Sequence, residues 1–243
     1  VARALEAVGS DATLVNGAFP DAVNPVLGRL TDRQLFGFGN IGTIAAFIGA
    51  PSQPPGSVAP HRRILAHHAH LSRPDDPAHG FRIWDDRTPI EADPQSLVAL
   101  YEQSRVDLNE IAGSSGAALV RALLTKERFA SHAPGPTGLP GGYPILLDKG
   151  RIALDLPPGL STERAIAMNL RWAHMDGIAA QADGLVTLTP ALAARLRQLV
   201  PSARSEIDLS TYAAIRDSEA RFAKIRNSLR AQPAKSKMTE TNP

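Results

Sequence analysis

The 243 residues are 43% hydrophobic and 21% charged, an ordinary globular composition and enough chain for one large domain or two small ones. With no cysteine, a disulfide framework, thiolate catalysis and Cys-ligated zinc are excluded, and a reducing, cytoplasmic setting is expected. A formal net charge of +2 and 5% aromatic residues speak against a nucleic-acid surface, and no apolar stretch reaches the length of a membrane span.

In chain order, residues 2–8, 13–16, 20–30, 34–38 and 41–49 read as helix, strand, helix, strand and helix. That alternation implies a parallel sheet with helical crossovers. Val1, Leu5 and Val8 share one side of the first helix, unlike a signal peptide, so the chain is expected to begin inside a domain. Residues 51–60 form a loop by their Pro and Gly content. A short strand over 63–66 runs into His67, His68 and His70, and 81–84 is a strand paired with it. A long helix is predicted over 94–112, with Leu97, Leu100, Tyr101, Leu108 and Ile111 along one side. Gly113-Ser114-Ser115-Gly116 is expected to break it, and a second helix to run from 117 to 128. Residues 132–142 read as a loop, and 143–147 with 151–156 as a hairpin about Asp148-Lys149-Gly150. Ser161 or Thr162 caps a helix reaching 182. A strand over 186–188, helices over 190–200 and 205–229, and a disordered tail over 231–243 complete the chain.

Two strand tips carry candidate chemistry. Asn16 supplies an amide able to orient a carbonyl or hydroxyl, and His68 an imidazole able to take or give its proton. His68 and His70 fall on one face of an extended segment and, with His61 or His79, would suit zinc or manganese. Gly37-Phe38-Gly39-Asn40-Ile41-Gly42 matches G-x-G-x-x-G between a strand and a helix, which fits either a phosphate turn or a tight strand-to-helix connection. No acidic residue ends the following strand; Arg62 and Arg63 stand there, a pattern suited to NADP. Asp21 reads as a first-turn helix charge, Asn24 as structural before Pro25, and Asn40 as a cap or a ligand contact. Trp84 and Trp172 read as packing residues, and the Arg and Lys of 216–230 as a solvated helix face.

The order of these pieces resembles the NAD-dependent lactate and malate dehydrogenase superfamily. Residues 14–27 resemble its strand ending in Asn-Pro, 36–47 its Gly-rich turn and substrate-lining helix, and 64–71 the strand that ends in its catalytic His, here His68. Residues 108–124 resemble the paired helices of its second domain, and 138–158 its late hairpin; the likeness spans 12–182. The resemblance implies an α/β fold: a partial Rossmann-like parallel sheet in 1–60, an α+β substrate domain like the C-terminal domain of those enzymes in 61–230, and the tail. It implies NAD or NADP beside Asn16, Gly17, Gly39 and Asn40, catalysis by His68 and Asn16, a small hydroxy or keto substrate, and a homo-oligomer without nucleic-acid or membrane partners. Thr43 stands where the dehydrogenases carry the Asp that pairs with the His, and Ala46 where they carry the Arg that grips a carboxylate. NAD- and manganese-dependent glycosidases share the superfamily fold, with residues 66–68 and Gly39-Asn40 at the places of their metal and sugar ligands. Three expectations follow: an NAD(P)-dependent oxidoreductase, a glycosidase-like hydrolase, or a non-catalytic binding module that keeps the fold.

Overall fold

The computed structural model describes residues 1–49, 61–182 and 184–231, in two compact units divided between Asp176 and Gly177. The loop expected at 51–60 and the tail expected after Ala231 lie outside the described residues.

The first unit opens as the alternation predicts: α1 (Ala2–Ala7), β1 (Leu14–Asn16), α2 (Pro20–Leu30), β2 (Leu35–Gly37) and α3 (Asn40–Ile48). β1 and β2 pair in parallel, with Asn16 opposite Gly37, so both strands end side by side and each feeds a helix. Among the described residues the parallel pairing stops there, because every other ladder is antiparallel. β3 (Arg62–Leu65), β4 (Arg82–Asp85) and β5 (Thr88–Ile90) form one such sheet, and β6 (Phe129–Pro134), β7 (Gly142–Asp148) and β8 (Arg151–Leu154) another. The fold is mixed α/β with small sheets. β7 and β8 join through Lys149 and Gly150, both at positive φ (51° and 76°), the primed hairpin turn that Asp-Lys-Gly announces.

The helices after β5 differ from the sequence expectation. α4 (Pro94–Tyr101) stops early, and α5 (Arg105–Thr125) runs unbroken through Gly113–Gly116. Ser104 starts α5 by accepting the Asp107 amide at 3.2 Å. Gly116 stays helical because close packing uses it: a Cβ there would stand 2.6 Å from the Phe38 ring, whereas Gly113 faces open space. The segment predicted as a loop over 132–142 is strand β6 to Pro134 and then a 3₁₀ turn, Pro136–Gly138. α6 (Thr162–Ala173), capped by Ser161, ends nine residues before the predicted 182. A 3₁₀ turn, His174–Asp176, follows, and Gly177 at φ 83° stops it.

Two buried clusters organise this unit. Phe36, Leu65, Tyr143, Ile145, Leu147 and Trp172 belong to one, with Trp84 packed on it; Ile41, Ile44, Ile64, Ile83 and Leu100 belong to the other. Both tryptophans are therefore packing residues, as read from sequence.

The second unit contains β9 (Ile178–Ala182), β10 (Leu185–Leu188), α7 (Pro190–Leu199), β11 (Glu206–Asp208) and α8 (Tyr212–Ala231). β10 is the central strand of an antiparallel sheet, and it claims residues 206–208 that helical periodicity had placed in the last helix. Val186, Leu188 and Ala193 form its small core. Arg216–Glu219 and Arg221–Asp217 pairs lie exposed on α8, a solvated face. No helix among the described residues is long and apolar enough to cross a membrane.

Candidate active site

β3 ends at Leu65, and Ala66 is held to Gly142 by two backbone hydrogen bonds of 2.8 and 3.3 Å. The chain then closes into a 3₁₀ turn, His68–Leu71, instead of remaining extended. The turn separates the three histidines, which an extended chain would have alternated.

His70 is fully buried and both ring nitrogens are engaged. Nδ1 accepts the His67 amide at 2.9 Å, and Nε2 donates to the His79 carbonyl at 2.7 Å. Trp172 meets its ring edge-on at 4.7 Å, and burial lowers its pKa to about 4. His70 is a neutral packing residue with no nitrogen left to pair with His68 on a metal. Among the described residues no group of three or more His, Cys, Asp or Glu is placed to hold a metal ion.

His67 and His68 converge on one carboxylate. Asp176 Oδ2 lies 3.1 Å from His67 Nδ1 and 3.0 Å from His68 Nδ1. The Ala69 amide also points at His67 Nδ1, at 3.4 Å, but one nitrogen cannot donate and accept together; the shorter, charge-assisted contact wins, and Nδ1–H donates to Asp176. Burial pushes the Asp176 carboxyl up, but the hydrogen bonds from His67 and His68 outweigh it and hold the group well below the usual carboxylate range.

His68 is the accessible member, with its side chain 34% exposed. The Asp176 hydrogen bond raises its pKa against the opposing effect of burial; Asp21 adds to the rise and Arg105 opposes it. The Phe19 ring lies 5.8 Å from the imidazole. Asp21 is 3% exposed; its Oδ1 accepts the His68 backbone amide at 3.2 Å and its Oδ2 accepts the Asn40 amide group.

Asn16 stands at its strand tip as expected, but its side chain shapes the turn. Its Oδ1 accepts the Ala18 amide at 2.9 Å, and its Nδ2 donates to the Ala18 carbonyl and to Asn24 Oδ1 at 3.1 and 2.8 Å. Asn24 is completely buried and continues the network to the Gly135 carbonyl at 3.1 Å, the structural role its place before Pro25 suggested. The G-x-G-x-x-G segment is a strand-to-helix turn. A Cβ on Gly37 would collide with Pro20, and one on Gly42 would stand 2.7 Å from Ser115 Oγ. A Cβ on Gly17 would be 2.6 Å from Phe38; one on Gly39, at φ 111°, would meet only Ala112 Cβ at 3.7 Å. Asn40 starts α3 and is tied to Asp21. Thr43, where the dehydrogenase pattern has an Asp, is buried, and the carboxylate on His68 Nδ1 is that of Asp176.

Asp176 is the residue that sequence reasoning missed. It fell inside a helix predicted to reach 182, and the usable signal was Gly177, a helix-stopping residue directly after it. Comparison with protein-family models, with curated proteins and with solved structures finds no match to this chain.

Proposed function

We propose that this chain carries the acid–base site of an enzyme acting on a hydroxyl or carbonyl group of a small substrate. The observation that carries the reading is the pair His68–Asp176. Asp176 accepts a hydrogen bond from the Nδ1–H of His68, which fixes the tautomer and leaves Nε2 to exchange a proton with a substrate oxygen. The same carboxylate stabilises the imidazolium formed when that proton arrives. A dehydrogenase places such an Asp elsewhere in its chain, at the position of Thr43; here Asp176 supplies the partner.

The oxidoreductase class rests on the resemblance, together with the parallel β1–β2 pair and its crossover helix, which support a Rossmann-like reading of that region. A homo-oligomer belongs to the same proposal. NAD or NADP is the implied hydride carrier, but the described residues do not fit its phosphates. The Asp21 carboxylate stands at Asn40, where α3 would receive a phosphate, and Arg62 and Arg63 are engaged by Asp85 and Asp155 at 2.7 and 2.9 Å. This chain's residues are therefore assigned to proton transfer alone.

The test is a panel of hydroxy and keto compounds, assayed with NAD(H), NADP(H) and a soluble dye as alternative acceptors or donors. His68→Gln is expected to lower kcat by about 10²–10⁴-fold with KM little changed. Binding without turnover in the unaltered protein would assign a binding module instead, and turnover that survives His68→Gln would overturn the acid–base role.

A further inference from the structure

Sequence reading makes Asp21 a helix-end charge, a role that an exposed carboxylate fills equally well. Asp21 does stand in the first turn of α2, and the structure adds a second role. Asp21 is 3% exposed, and its two oxygens face two different elements. One accepts the backbone amide of His68 at the start of the 3₁₀ turn after β3, and the other accepts the Asn40 side chain at the start of α3. Its own carbonyl accepts the Gly141 amide, just before β7, at 3.2 Å. One residue in the first turn of α2 thus ties the β3 tip, the α3 start and the β7 start together. Its carboxylate partners are neutral N–H groups, one of them the His68 amide itself.

We propose that Asp21 is a positioning residue for His68: its carboxylate, anchored to Asn40 at the start of α3, fixes where the imidazole stands through the His68 backbone and supplies a second negative charge to the ring beside that of Asp176. The charged and titratable groups facing His68 are Asp176, Asp21, Arg105 and the neighbouring His67. Asp176 acts on the ring nitrogen itself, whereas Asp21 acts through the main chain and through space. The charge effect runs the same way, since Asp21 favours protonated His68 while Arg105 opposes it.

The proposal rests on His68 being the proton-transfer group, but its test needs no substrate, so the two can fail separately. Uniformly ¹⁵N-labelled protein is titrated by NMR as the unaltered chain, as Asp21→Asn, and as the exchange pair Asp21→Asn with Asn40→Asp; His68→Gln identifies the resonances. The exchange pair keeps both hydrogen bonds, with donor and acceptor reversed between 21 and 40, and keeps the net charge. In Asp21→Asn the His68 titration midpoint is expected to shift down, and its amide proton upfield as it loses a charged acceptor. The exchange pair is expected to recover part of the midpoint, because the charge has moved only to the neighbouring side chain. An unchanged midpoint and amide resonance in Asp21→Asn would overturn the proposal. If that variant does not fold, the exchange pair decides: a midpoint below that of the unaltered chain, in a folded protein, supports the role, and an identical one overturns it.

Discussion

Asp176 Oδ2 lies 3.0 Å from His68 Nδ1 across 108 residues of sequence, and the two groups move each other's proton affinity in opposite directions. His68 is raised above its ordinary 6.5, so its contribution to stability is complete below pH 6.5 and is lost as pH rises through its folded value. Asp176 is depressed below its ordinary 3.8, so its contribution is present above that value and is lost as pH falls beneath it. Thermal midpoints measured from pH 6.5 upward should therefore decline in the unaltered protein. Asp176→Asn keeps an acceptor oxygen but no charge, and should flatten that decline. An equal slope in both proteins would show that the pair does not couple protonation to folding.

The acidic side of the same profile belongs to two other histidines. His70 and His132 are both driven down to about 4 by burial, and His132 accepts the Ile64 amide on Nε2 at 3.0 Å. The unfolded chain takes up these protons near pH 6.5 and the folded chain only near 4, so stability should fall as pH drops through that window. Combined with the alkaline decline, the maximum should sit near pH 6.5. Replacing His132 by Gln, which keeps an acceptor for Ile64, should lessen the acid decline measured by urea unfolding between pH 7 and 4.

The glycine-rich turn yields a prediction that separates packing from ligand binding. Gly37 has no room for a Cβ because the Pro20 ring occupies the space, and Gly42 has none because of Ser115. Alanine at either position should cost about 1–3 kcal/mol by overpacking, read as a lower urea midpoint with no ligand present. Stability unchanged by Gly37→Ala would mean that the turn can shift, and that its glycines serve something other than packing.

Much of the first unit was readable from local pattern. Alternating short strands and helices over 2–48 appear almost at their expected bounds, and His68 does stand just past a strand tip. The errors come where tertiary packing overrides propensity. Each helical Gly costs about 1 kcal/mol relative to Ala, which made 113–116 look like a break. Gly116 stays helical because the Phe38 ring fills the space its side chain would need. The true break was also written locally, in Ser104-x-x-Asp107, a helix-start pattern overshadowed by the glycines. Asp176 is a different case. No spacing links residue 176 to residue 68, because the contact depends on where α6 ends and how its last turn meets the 3₁₀ turn at His68. The neutral state of His70 was hidden for the same reason, since it follows from burial, to which the chain-distant Trp172 ring contributes.

Phe19 offers the last test, because its backbone and its ring can be separated. It sits at φ 45°, ψ 52°, a left-handed conformation that costs a non-glycine residue about 1–2 kcal/mol, and its side chain gains little from burial since the residue is 69% exposed. The conformation is imposed from both sides. Asn16 closes the preceding turn through Ala18, and Pro20 disfavours the right-handed helical region for the residue before it. Phe19→Gly removes the strain and pays about 0.5–1 kcal/mol in unfolded-state entropy, whereas Phe19→Ala keeps the strain. The glycine variant should therefore match or exceed the alanine variant in thermal midpoint. Both variants lose the ring beside His68 equally, so a loss of turnover shared by the two belongs to the ring, and a loss confined to one belongs to the backbone. Equal stability of the two variants, with turnover intact in both, would remove Phe19 from the site.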